Sequence, residues 1–125
     1  MTRLVVDGMN VIGSRPDGWW RNRQRAWRRL AGQLAEHASR SGDEVRLVLD
    51  GRRPEEWDDA VETTFARGRR GAADDAIVEL VEADPDPRSL TVVTSDRELE
   101  QRVRNLGAAV IPANGFRRTL ESGGD

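Results

Sequence analysis

The chain has 125 residues, enough for one compact core and too few for two. A 34% charged and 37% hydrophobic composition with a net charge of −2 fits a small domain with a large surface, and dense apolar runs such as Leu4-Val5-Val6 exclude a disordered chain. The absence of cysteine excludes disulfides, thiolate metal centres and thiol nucleophiles, and no apolar run approaches membrane-spanning length.

These bounds predict one cytoplasmic domain over residues 1–125, with an ordered core from about 3 to 120, no leader-like segment before the first strand and no membrane partner. Residues 4–7 read as a buried strand, followed by a loop over 8–18 that contains Gly, Ser and Pro. Trp27, Leu30, Ala31, Leu34 and Ala38 then share one helical face, and Gly42 stands where that helix would end. Residues 45–50 form a second buried strand. Val61, Thr63 and Phe65 alternate with Glu62 and Thr64 as a short strand with one polar face, and 66–73 is a loop of Gly and Arg. A helix over 74–83, a buried strand over 90–94, a helix over 96–106 stopped by Gly107, a strand over 108–111 and a helix over 114–120 complete the chain. Buried strands alternating with amphipathic helices imply an α/β fold: a three-layer α/β/α sandwich on a mainly parallel sheet.

In such sheets ligands bind beyond the carboxyl ends of the strands, where the strand order reverses. That rule singles out the acids. Asp7 ends the first strand, Asp50 the second, Asp96 follows the third, and Asp74 and Asp75 open a helix at the same edge. Two carboxylates 4–7 Å apart repel by roughly 2–4 kcal/mol at an effective dielectric near 20. A hard divalent cation such as Mg²⁺ or Mn²⁺, which prefers oxygen ligands, would relieve a cluster of them. Each acid also has a structural reading. Asp7-Gly8 and Asp50-Gly51 are turn sequences, while Asp74 and Asp75 suit a helix start. Ser95-Asp96-Arg97-Glu98 matches a capping box, which would engage Ser95 and Glu98 and leave Asp96 for metal. Glu100, four residues after Asp96, is either a further ligand from the same helical face or a solvated acid. Asn10 offers an amide donor and acceptor to orient water or a carboxylate, or else caps a turn. His37, the sole histidine, reads as a surface residue of the long helix.

Val6-Asp7-Gly8-Met9-Asn10-Val11-Ile12 resembles the opening signature of the NYN domain family, in its bacterial YacP-like branch. Val48-Leu49-Asp50-Gly51, Phe65-Ala66-Arg67-Gly68, Ala73-Asp74-Asp75 and Val93-Thr94-Ser95-Asp96 resemble its later blocks, so the likeness spans about Leu4 to Leu120. It implies a PIN-like fold and metal-dependent endoribonuclease activity. It implicates Asp7, Asn10, Asp74 or Asp75, and Asp96 in an acidic site with Mg²⁺ or Mn²⁺, and places Glu100 where related nucleases often carry another acid. A protein or ribosome partner is also implied, although the compactness of the chain puts an accessory surface for one in doubt.

Residues 15–53 carry ten Arg and five acids, the remainder ten Arg and seventeen acids, and there is no Lys. Arg67, Arg69 and Arg70 before the Asp74-Asp75 helix, and Arg15, Arg21, Arg23 and Arg25 after Asn10, are candidate phosphate contacts. Trp19 and Trp20 are candidate stacking platforms for unpaired bases, so single-stranded or unpaired RNA is the expected partner. The competing reading is a non-catalytic RNA-binding module on the same fold. A haloacid-dehalogenase-type phosphatase would want an Asp at position 9, which is Met, and a receiver domain needs a Lys. The oligomeric state is left open.

Overall fold

The computed structural model describes residues 2–14 and 17–123. Ten main elements follow one another: β1 (Arg3–Asp7), α1 (Gly8–Gly13), α2 (Arg23–Ser41), β2 (Glu44–Asp50), β3 (Glu62–Ala66), α3 (Ala72–Ala83), β4 (Leu90–Val93), α4 (Arg97–Asn105), β5 (Ala109–Ile111) and α5 (Ala113–Glu121). The strands form one sheet in the order β3-β2-β1-β4-β5, and every neighbouring pair is parallel. The chain therefore builds outward from β1 to β3, then returns to the other flank of β1 with β4. The strand order reverses between β1 and β4.

The pleat explains the three layers. Side chains alternate across a strand, so Leu4 and Val6 of β1 join Leu47, Leu49 and Val93 in a core covered by α1, α2 and α5. Val5 joins Val48, Leu90 and Val92 on the opposite face, against Ile77 and Val81 of α3 and Leu99 and Val103 of α4. Fully burying an aliphatic side chain of this kind contributes roughly 1.5–3 kcal/mol, and Leu34, Leu47 and Ile77 have no exposed surface. Among the described residues no helix is long and apolar enough to cross a membrane.

Two expectations change. Residues 8–13 are a short helix rather than the start of a loop. Gly8 makes this possible: a Cβ there would stand 2.6 Å from Leu49 Cδ2 and 2.9 Å from the Val48 carbonyl oxygen, so only glycine lets α1 leave β1 flush against β2. His37 is not on the surface. It is half-buried, its Nε2 lies 3.1 Å from the Asp43 carboxylate, and its ring meets Phe116 of α5 edge-on. Trp27 is core, tilted against Phe65 with a ring separation of 5.7 Å, whereas Trp20 is 59% exposed and touches Trp19 edge-on.

Candidate active site

The carboxyl edge of the sheet is organised around the reversal point. Asp7, the last residue of β1, is only 5% exposed, and its Oδ2 accepts a hydrogen bond of 2.9 Å from the Thr94 hydroxyl, just beyond β4. The same Thr94 oxygen accepts the Asp96 N–H at 3.1 Å. Asn10 Oδ1 accepts the Ser95 N–H at 2.8 Å, and Ser95 Oγ accepts the Ala113 N–H at 2.9 Å. These bonds tie α1, the β4–α4 loop and the start of α5 together across the two strand ends. Above them opens a cleft of about 350 Å³ lined by Asp7, Asn10, Asp50, Arg70, Asp74 and Asp96.

The carboxylates there are held in an unfavourable field. Burial pushes the Asp7 carboxyl up to about 6; repulsion from Asp74 and Asp96 adds to this, while the Thr94 hydroxyl and the Asn10 backbone N–H pull the other way. Asp74 is also raised, first by burial and then by Asp96. The donor set is all oxygen, as a hard divalent cation requires. Among the described residues no three acidic or histidine side chains converge closely enough to enclose an ion by themselves. Mg²⁺ commonly takes one or two carboxylates and completes its shell with water and substrate phosphate.

Residues 4–123 match the YacP-like NYN domain. The chain belongs to that family. Two crystal structures of Rae1 (YacP) from Bacillus subtilis, the second a point mutant, share 28% identity with it and superpose with TM-scores of 0.81 and 0.80. Each alignment covers 98% of this chain, and 75% and 77% of the respective Rae1 chains. No curated protein sequence matches. The YacP-like domain thus carries the fold of the PIN-like nucleases.

Within this YacP-like domain the residues singled out from sequence separate into two groups. Asp7, Asn10, Asp74 and Asp96 share the cleft, with Asp50 on its wall and Arg70 at its rim. Asp75 is not among the lining residues: Arg69 holds its Oδ2, Arg102 donates to its Oδ1 at 3.1 Å, and the two together keep it below the usual carboxylate range. Glu100 is also off the cleft and pairs with Arg104 at 2.9 Å. The capping box is not formed. Asp96 is the N-cap of α4, with Oδ1 accepting the Leu99 N–H at 3.0 Å, while Ser95 is engaged with α5.

The arginines divide in the same way. Arg67, Arg69 and Arg70 are exposed; Arg70 lines the cleft, while Arg69 is paired with Asp75. Arg23 donates to the Asp50 carbonyl oxygen at 2.9 Å and lies over the Trp27 ring, so it props the end of β2. Arg21 faces a second cleft on the far side of α1, and Arg15 lies outside the described residues. Thr94, which joins Asp7 to the Asp96 N–H, is a site neighbour not singled out from sequence. A threonine at the end of the apolar run Leu90 to Val93, next to Ser-Asp, was its available signal.

Proposed function

We propose that this domain is a divalent-metal-dependent endoribonuclease that hydrolyses phosphodiester bonds in single-stranded or unpaired RNA. The observation that carries this reading is Asp7: a buried carboxylate at the strand-order reversal, facing Asp74 and Asp96 and raised to about 6. An acid cluster costs the fold energy unless a cation uses it. Membership of a nuclease-type family supports the same conclusion.

Asp7, Asp74 and Asp96 would hold Mg²⁺ or Mn²⁺. A bound ion of this kind supplies water of lowered pKa as nucleophile and neutralises charge gathering on the phosphoryl group. The rest falls to the chain. Thr94 fixes the Asp7 carboxylate by its hydroxyl and, through the Asp96 N–H, sets the spacing of the two acids. Asn10 spends its carbonyl on Ser95, which leaves its NH₂ group as the donor toward a phosphate oxygen or water. Arg70 brings positive charge to a rim that would otherwise repel RNA. Asp75, locked by two arginines, positions the β3–α3 loop that carries Arg67, Arg69 and Arg70.

Calorimetric titration of Mn²⁺ into metal-free protein, with cleavage of a labelled single-stranded RNA followed in parallel, tests the proposal. Saturable binding is expected, weakened in both Asp7→Asn and Asp96→Asn. Cleavage by either variant should fall about a hundredfold or more, at or beyond the 10–100-fold typical of groups one step removed from a metal. Full cleavage by folded Asp96→Asn would remove that residue from the site. RNA binding without metal linkage or turnover would establish the non-catalytic module instead.

A further inference from the structure

A second cleft, of about 390 Å³, lies on the other side of α1, enclosed by the 3-10 turn Trp19–Arg21, α2 and α5. Its volume falls within the roughly 300–1,000 Å³ of small-molecule sites. Its floor is apolar, made by Ile12, Trp19 and Leu30. Its walls carry Arg21, Arg25, Arg29 and Arg117 against a single acid among the lining residues, Asp17, which stands 3.8 Å from Arg29. Among the described residues the Arg21 and Arg25 guanidinium groups make no ion pair. Arg117 is three-quarters or more buried, its Nε has no hydrogen-bond acceptor, and its nearest carboxylate, on Glu121, is 3.9 Å away. A buried donor left unmet is costly, and clustered guanidinium groups over an apolar floor call for a ligand with both an anion and a flat apolar body.

Position narrows the class. Asn10 borders the acidic cleft, while Val11 and Ile12, the next residues of the same helix, border the basic one. Trp20, the exposed large hydrophobic residue of the described chain, meets edge-on the Trp19 ring that lines this cleft. We infer that the basic cleft is a nucleotide subsite for single-stranded RNA. An unpaired base lies against Ile12, Trp19 and Leu30, its phosphate meets Arg25, Arg29 and Arg117, and Trp20 stacks on a neighbouring base. The inference rests on the RNA-cleaving reading for the identity of the strand. It makes α1 the divider between the nucleotides that are held and the phosphate that is cut. Stacking favours unpaired bases without demanding a sequence.

The test is anisotropy of a labelled single-stranded RNA with the full chain in chelator, so that binding is read without cleavage. The Arg25→Gln/Arg29→Gln double variant changes exposed positions, and circular dichroism checks its fold; Arg117→Gln is measured separately. Affinity of the double variant should fall about tenfold near 0.1 M salt, and the slope of log Kd against log salt should shrink by about 0.7 for the one phosphate no longer neutralised. Equal affinity and slope in wild type and double variant would overturn the subsite. So would RNA annealed to its complement binding as tightly as the single strand, because a paired base cannot reach the floor. AMP or inorganic phosphate binding more tightly than the strand would make this a free-nucleotide or anion site. Displacement of the RNA by an oligoglutamate peptide at lower concentration would make it a protein-docking site. Either result overturns the proposal. Cleavage with Mn²⁺ separates this inference from the one it rests on. If the wild type never cleaves yet binding depends on Arg25 and Arg29, only the nuclease reading falls. If the double variant binds and cleaves like wild type, only the subsite falls.

Discussion

The two ends of the sheet handle charge in opposite ways. At the amino end the described arginines of β1 and β2 are paired with carboxylates. The Arg3 guanidinium bonds both oxygens of Asp84 and the Ser89 hydroxyl and stands 3.3 Å from Glu44, and Arg46 pairs with Glu62 at 3.1 Å. The Arg3 hydrogen bond therefore holds the Asp84 carboxyl below the usual range. At the carboxyl end Asp7, Asp74 and Asp96 face one another, and the first two are pushed up. Both edges are built from the same strands, so strand chemistry does not explain the contrast. The paired edge closes the fold. The acidic edge keeps a repulsion that proton uptake or a cation would relieve.

Asp7→Asn should give the largest effect on stability. Its folded value of about 6 lies above its unfolded reference of 3.8, so the folded state binds this proton more tightly. The penalty is absent below 3.8, grows between the two values and is complete above about 6. Metal-free wild type should therefore gain stability from this group as pH falls from about 7 to about 5. Removing the charge should stabilise the protein at neutral pH by on the order of 2–3 kcal/mol. Asp84 works with the opposite sign: its contribution is full above 3.8 and is lost as pH falls through its lower folded value. Urea unfolding in chelator at several pH values reads both. If Asp7→Asn were equally destabilising at about pH 5 and 7, the contrast between the edges would be lost.

Gly8→Ala comes next. Its methyl group would press on Leu47, Leu49 and the Val48 carbonyl, an overpacking cost of roughly 1–3 kcal/mol. It should also lower Mn²⁺ affinity, because α1 carries Asn10. Calorimetry giving wild-type affinity in a destabilised protein would show that α1 and the acids are mechanically separate. Arg3→Gln is the smallest. It should lower the thermal midpoint modestly and leave Mn²⁺ binding untouched. A change in metal affinity from that distance would break the division between the edges.

Most elements were legible because apolar runs and helical spacing are local signals, and the strands and the long helices fall within a few residues of where these place them. What escaped depends on partners distant in sequence. Ser95 could not be seen to leave its capping role, because its hydroxyl is claimed by Ala113, eighteen residues on. Asp96 took the cap instead, and although the Glu100 N–H bonds the Asp96 carbonyl at 2.9 Å, its side chain went to Arg104. Asp74 and Asp75 are neighbours that a helix turns about 100° apart. Which of them enters the cleft is settled by Arg69 and Arg102, from a loop and another helix. The brief α1 escaped because Gly8 and Gly13 bracket it with the poorest helix formers short of proline.

That short helix has one more consequence. One turn and a half of backbone serves as the party wall between an acidic chamber and a basic one, and Gly8 leaves it no slack at its root. Two rooms that share so thin a wall cannot be refurnished independently. A body lodged against Ile12 would press on the same turn of helix that carries Asn10, whose Oδ1 holds the Ser95 N–H beside the acids.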